Sequence, residues 1–328
     1  MSDSDNDEYE EYDETQLNLS ERGLTTLPKL DESLEQLYCE DNLLTILPKL
    51  PNSLTILNCN NNQLTSLPEL QELRELFCNN NQLTSLPDNL PSSLRTLECE
   101  KNELPSLPNL PPSLESLMCG GNKLEVLQGL PLSLKYLTCN ENKLNVLPDL
   151  PDGLTLLKCD DNQLASLPRL PPNLTHLICN NNKLTVLPAL PTSLRVLSCS
   201  GNKIRQIDSN LSSLNIYVVL DTHNLNLDSL KKYQGYLSEF SKKKGLLQVI
   251  QNDIQKVLNN IESRMDRIRL VLVSGPKNEV KIGENTEAVQ RGNIDLIKSF
   301  ITPAKKGGKK SRKDNKSRKA NKSRKNKK

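Results

Sequence analysis

Leu34-Glu-Gln-Leu37-Tyr-Cys39-Glu-Asp-Asn42-Leu-Leu44-Thr-Ile-Leu47-Pro48-Lys-Leu50-Pro51-Asn-Ser53 reads as L-x-x-L-x-C-x-x-N-x-L-x-x-L-P-x-L-P-x-S, and the same register returns along most of the chain. Cysteines fall at Cys39, Cys59, Cys78, Cys99, Cys119, Cys139, Cys159, Cys179 and Cys199, twenty residues apart except for one interval of nineteen and one of twenty-one. A period of that length defines a solenoid, in which each unit buries its apolar face only against its neighbours.

Within a unit, the L-x-C segment alternates inward and outward as a strand does, so Leu37 and Cys39 face the core while Gln36 and Tyr38 face away. Asparagine follows three residues after each cysteine, at Asn42, Asn62, Asn81, Asn102, Asn122, Asn142, Asn162, Asn182 and Asn202. Its side chain both donates and accepts, which suits a ladder of bonds to a turning backbone. The prolines of L-P-x-L-P remove backbone donors and push their predecessors out of the α region, predicting an extended outer side with little helix. Three units depart from the pattern. Gln71 replaces a proline in the short unit and Asp88-Asn89 lengthens the next, while Gln128-Gly129 displaces the first proline of another.

These motifs resemble the leucine-rich repeat, L-x-x-L-x-L-x-x-N/C-x-L, with Cys at the third apolar position. The match runs from Leu17 to Ile216: a degenerate opening unit, nine cysteine units and a closing fragment with Leu211, Leu214 and Ile216. The short L-P-x-L-P form is similar to that of secreted bacterial effectors and their ubiquitin-ligase relatives. The cysteine variant with a lysine-rich tail looks more like leucine-rich repeat proteins of giant amoeba-infecting viruses. The resemblance implies an α/β solenoid (horseshoe) with a parallel sheet on its concave face and an extended convex face. It also implies protein binding on that concave face.

Composition agrees with such a core. The chain of 328 residues has no Trp, three Phe and seven Tyr, so leucine must supply the buried surface, at about 1.5 to 3 kcal/mol per side chain. A net charge of +2 hides a strong polarity: residues 1–15 carry −8, residues 304–328 carry +13, and the middle is left with −3. No apolar run of about 18 residues exists and the N-terminus is acidic, so neither membrane insertion nor conventional export is expected.

Stacked cysteines could in principle be disulfides, metal ligands or a nucleophile. Their number is odd, no C-x-x-C pair occurs, and a strand spacing of about 4.8 Å exceeds the usual disulfide Cβ separation. They are read as inert core, in a reducing compartment. The ubiquitin-ligase relatives carry their cysteine nucleophile after the repeats, and here none follows Cys199. With only His176 and His223 available, histidine-dependent catalysis and multi-histidine metal sites are not expected. Gly308-Lys309-Lys310-Ser311 lacks the spacing of a phosphate loop. No enzymatic activity, cofactor or metal is expected.

Function is therefore expected on the outward positions of the strands. Partner-binding candidates are Tyr38, Ile56, Phe77, Glu98, Met118, Tyr136, Leu156, Lys158, His176, Ile178 and Val196. The apolar members are expected to be exposed, on the one surface where repeat-imposed alignment brings apolar groups together. The flanking columns add Glu40, Asp41, Glu100, Glu141, Asp160 and Asp161 against Lys101, an acidic edge that repels phosphate.

The domain reading is an acidic disordered tail over 1–15, the solenoid over 16–216, a helical region over 217–303 and a basic disordered tail over 304–328. Leu230, Tyr233, Leu237 and Phe240 have helical spacing behind a candidate cap at Asp228, and Leu247, Ile250, Ile254, Val257, Leu258, Ile261, Met265 and Ile268 continue a second stripe. Such helices cover the open end of a solenoid; a coiled-coil seam is the alternative. Residues 288–298 resemble half of one ankyrin repeat. The tail repeats Lys-Ser-Arg-Lys at Lys310, Lys316 and Lys322, a composition that suits import-receptor recognition or non-specific nucleic-acid binding. The leading expectation is a protein-binding scaffold, and the alternative is a nucleic-acid-associated protein acting through its tail. Oligomeric state stays open.

Overall fold

In the computed structural model, residues 15–206, 217–219, 224–225, 227–242, 252, 254–263 and 265 are described. Each L-x-C segment forms a three-residue strand: β1 (Gln16–Asn18), β2 (Gln36–Tyr38), β3 (Ile56–Asn58), β4 (Glu75–Phe77), β5 (Thr96–Glu98), β6 (Ser116–Met118), β7 (Tyr136–Thr138), β8 (Leu156–Lys158), β9 (His176–Ile178), β10 (Val196–Ser198) and β11 (Tyr217–Val219). They make one parallel sheet in sequence order. Register holds through the irregular units, with Leu57 opposite Leu76 and Leu76 opposite Leu97, so the changes in length are absorbed outside the strands. The sheet also runs past residue 216, where the sequence reading ended the solenoid, because Val218 pairs with Leu197.

The core is a leucine column. Leu37, Leu44, Leu57, Leu64 and their equivalents are fully buried, and Leu47 and Leu50 close the far side. All nine cysteines are reduced and buried beside them. Burial pushes the thiols from Cys39 to Cys179 up, Cys39 and Cys139 to about 12, so these are neutral small hydrophobes at neutral pH. Nine thiols should therefore titrate after denaturation and far fewer in the native protein. A count below nine in denaturant contradicts this reading.

Asparagine ties consecutive turns together. Asn62 Nδ2 donates to the Cys39 and Cys59 carbonyls while its Oδ1 accepts from the Leu44 amide, and the same set recurs down the column. A second ladder, to which the sequence reading assigned no role, uses the serine of L-P-x-S. Ser133 Oγ donates to both Pro112 and Leu114 carbonyls, and Ser53 and Ser113 act alike. Gly153 stands at this position in its unit, and a Cβ there would meet only the Leu132 and Leu134 carbonyls, at 3.8 and 3.9 Å. Gly153→Ser should supply the missing bonds and restrict the unfolded chain, raising stability by about 1 kcal/mol. A lower denaturation midpoint for that variant contradicts the serine ladder.

The turn after each strand needs a left-handed residue. Asp41, Asn61, Asn80, Asp161 and Asn181 have φ between 49° and 55°, and Gly121 and Gly201 fill the same place. Asn and Asp tolerate that conformation better than other non-glycine residues, which gives part of the acidic column a backbone explanation. As the prolines predict, no helix occurs among the described residues before 227. The prolines instead open tight turns, with the Leu54 amide donating to the Pro51 carbonyl.

Helix α1 (Leu227–Ser241) buries Leu230, Tyr233, Leu237 and Phe240 as expected, and also Tyr236, which stacks between Tyr233 and Phe240. Asp228 lies in its first turn, two residues past the position its expected role as cap requires. Tyr233 Oη donates to the Val218 carbonyl, fastening α1 to β11. Residues 254–263 are helical with Ile254, Leu258 and Ile261 buried and Val257 half-buried, and Met265 is buried after them, so the described part of this stripe is largely covered. Leu247, Ile250, Ile268, the Leu211–Ile216 fragment, the ankyrin-like segment and both charged tails lie outside the described residues. Among the described residues no helix is long and apolar enough to cross a membrane.

Candidate functional site

Strand alternation decides what the sheet presents. With Leu37, Leu76, Leu117 and Leu137 fully buried, the residues on either side of each must face outward. Parallel in-register pairing then aligns them into two columns with about 4.8 Å between rows. Tyr136 is 46% exposed, and Tyr38, Ile56, Phe77, Glu98, Met118, Leu156, Lys158 and His176 are half-buried on the same face. The sheet thus brings nine of the eleven candidates to an accessible surface.

Ile178 and Val196 do not fit the expectation of exposure. They are 4% and 7% exposed. Each is a compact branched side chain flanked in register on both sides, Ile178 by Lys158 and Ser198, Val196 by His176 and Tyr217. At that spacing a compact side chain stands little above the rows beside it, and Thr138, in register between Met118 and Lys158, is buried as well. Nor is this the only aligned column with exposed apolar groups. Ile46, Val126, Val146 and Val186 are more exposed than Tyr136, at one repeat position two before the first proline or, for Val126, its replacement Gln128. Ser66, Ser85, Ser106 and Ser166 interrupt that column, so it offers no continuous patch.

Polar groups on the face are mostly committed to one another. Tyr38 Oη donates to Gln36 Oε1 at 3.0 Å, and Thr175 Oγ1 lies 2.8 Å from His176 Nδ1. Burial lowers the pKa of His176, which keeps the imidazole neutral at neutral pH. Burial raises the Glu98 carboxyl, although the Asn79 amide donates to it at 2.8 Å.

Along the carboxyl edge of the strands, the residues that follow each cysteine form a further column, in which the sequence reading marked only the acids. Asn79 Oδ1 accepts from the Glu100 amide, and Asn180 Oδ1 accepts from the Ser200 amide and Ser198 Oγ. Thr138 Oγ1 donates to Glu100 Oε1 at 3.0 Å across the intervening β6. Gly120 was the available signal, being the one residue of that column without a side chain beyond a hydrogen. Among the described residues no group of three His, Cys, Asp or Glu side chains is placed to hold a metal ion.

Asp160 carries the largest electrostatic strain of the edge. Burial pushes its carboxyl up to about 6, Asp161 adds to the shift, and Lys158 opposes it. A carboxyl whose folded pKa exceeds its unfolded value of about 3.9 makes a contribution to stability that is full below pH 4 and lost as pH rises through 6. Asp160→Asn should therefore match the parent near pH 4 and exceed it at pH 7.5 by on the order of 1 to 2 kcal/mol. Denaturation midpoints at the two pH values check this, and a variant less stable than the parent at pH 7.5 contradicts it.

Comparison with known proteins points the same way. Residues 172–213 match the family model described as leucine rich repeats (2 copies). No curated protein matches the chain in sequence. Among solved structures, the chain is similar to YopM from Yersinia enterocolitica WA-314, with 39% identity and a TM-score of 0.60 over 63% of this chain and 46% of that one. It is also similar to YopM, a leucine-rich effector protein from Yersinia pestis, with 34% identity and a TM-score of 0.56 over 65% of this chain and 67% of that one. The leucine-rich repeat domain of APL1, at 24% identity and a TM-score of 0.50 over 62% of this chain and 64% of that one, shares the fold. The chain thus spans about half the length of the first of these relatives.

Proposed function

Since the chain belongs to the leucine-rich repeat family, we propose that it is a protein-binding scaffold whose partner docks on the outward, concave face of the sheet. The observation that carries this reading is the accessible run of Phe77, Met118, Tyr136 and Leu156 on successive or near-successive strands. Large apolar groups aligned among polar ones are the composition of an interface core with its rim. A rigid sheet presents them at little cost in conformational entropy.

The same reading places the short L-P-x-L-P repeats beside those of the bacterial effectors. It places the cysteine-bearing repeat with its lysine-rich tail beside the proteins of giant amoeba-infecting viruses. It puts the protein inside the cell, where a column of reduced thiols persists. Action through the tail on nucleic acid has less in its favour, because the acidic edge of the sheet repels phosphate.

Deletion of residues 304–328 separates the two readings. Capture of specific proteins from the native host should survive the deletion if the sheet is the interface. Loss of every captured protein together with the tail overturns this reading.

A further inference from the structure

Four side-chain atoms among the described residues are buried without a hydrogen-bond partner, and all four are oxygens: Ser20 Oγ, Glu40 Oε2, Asn140 Oδ1 and Asp160 Oδ1. All four residues occupy one repeat position, the first after the inward Cys or its leucine equivalent. Buried acceptors without donors are costly, and their clustering at one position asks for a donor from outside.

The arrangement is most developed around Gly120. At Asn60, Asn79 and Asn180 of the column the side-chain oxygen accepts from the amide one row on, but Gly120 has no side chain with which to continue that chain of bonds. The Asn140 amide leans into the gap, and a Cβ on Gly120 would lie 2.6 Å from its Oδ1. From the other side Glu100 reaches across β6 to Thr138, 38 residues away in sequence. Asp160 follows in the next row. Asn140 is only 5% exposed, so its unpaired oxygen is a built feature and not a solvated surface group.

We propose that the notch at Gly120 seats an arginine side chain from a basic, extended segment of the protein partner. The proposal rests on the sheet-face reading and adds the partner's chemistry to it. Charge complementarity selects the occupant: over β1 to β10, the two outward columns and the two that follow the cysteines hold nine carboxylates and two lysines. The whole middle of the chain, residues 16–303, is only −3, so negative charge is concentrated on this edge. A metal ion fits less well, because among the described residues no three His, Cys, Asp or Glu side chains converge. The acceptors are instead strung at the strand spacing of about 4.8 Å. A guanidinium presents five donors in a planar fork and bridges two such acceptors at once.

The test is fluorescence anisotropy of a labelled nona-arginine peptide with the full chain at about 0.15 M salt, where exposed charges are largely screened. Gly120→Leu fills the notch without changing charge, and it displaces only the movable end of Asn140. It should weaken binding more than fivefold, as should Glu100→Gln. Asn140→Leu, which removes the unpaired acceptor, should do the same and serves if Gly120→Leu fails to fold. Replacing Glu8, Glu10 and Glu11 with Gln should change binding less than twofold, and nona-lysine should bind more weakly than nona-arginine. Binding within twofold of the parent for folded notch variants overturns the proposal, as does an equal loss in the N-terminal variant. Its failure is separable from that of the sheet-face reading. If nona-arginine ignores the notch while Phe77, Met118 and Tyr136 remain essential for partner capture, the seat alone falls. If the notch governs nona-arginine while those three are dispensable, the seat stands without the apolar interface.

Discussion

Asn122→Ala should lower the free energy of unfolding by about 3 kcal/mol. Asn122 donates to the carbonyls of Cys99, Cys119 and Gly120 and accepts from the Leu104 amide at 3.0 Å, so one side chain joins two consecutive turns. Alanine leaves those backbone groups buried and unpaired, at about 1 to 3 kcal/mol for each that cannot recruit water. Lys123→Ala is the matched control. Its ammonium meets Glu103 at 2.8 Å, but both side chains are half exposed and such a pair contributes less than about 1 kcal/mol. Chemical denaturation reads both. Because repeats couple only to their neighbours, hydrogen exchange at the Leu104 amide should report the local loss directly. Equal midpoints for the two variants contradict the ladder.

Replacing Phe77, Met118 and Tyr136 together with Ser should reduce partner binding by well over tenfold while leaving the fold nearly intact. Binding energy concentrates in a few aromatic or large apolar anchors, each worth about 2 kcal/mol or more. The inward set beneath them, Leu76, Leu117 and Leu137, is fully buried and untouched by the change. Circular dichroism and melting should match the parent. If they do and the captured proteins are also unchanged, the interface lies elsewhere and α1 becomes the better candidate.

Much of this architecture is legible in one unit. Alternation around Leu37 and the recurrence of Cys39 and Asn42 imply a parallel sheet, an inward thiol column and an asparagine ladder, because each follows from local geometry multiplied by a period. Features that depend on side-chain reach between units are not legible in this way. Ile178 and Val196 occupy outward positions as alternation requires, yet both are buried, compact side chains between neighbouring rows of the sheet. The Thr138 to Glu100 bond skips a whole repeat, and only the missing side chain at Gly120 hints at it. The role of Ser133 is similarly hidden, since a repeated spacing does not say which carbonyls a hydroxyl will find.

Site-specific photocrosslinking tests the interface claim most directly. A photoreactive residue at Ser116, outward on β6, is compared with one at Val126, which is 56% exposed but off the sheet face. With the native host's proteins present, position 116 should yield a discrete crosslinked species that disappears in the Phe77, Met118 and Tyr136 variant, and position 126 should yield none. A species formed at 126 and absent at 116 contradicts the assignment of the partner to the sheet face.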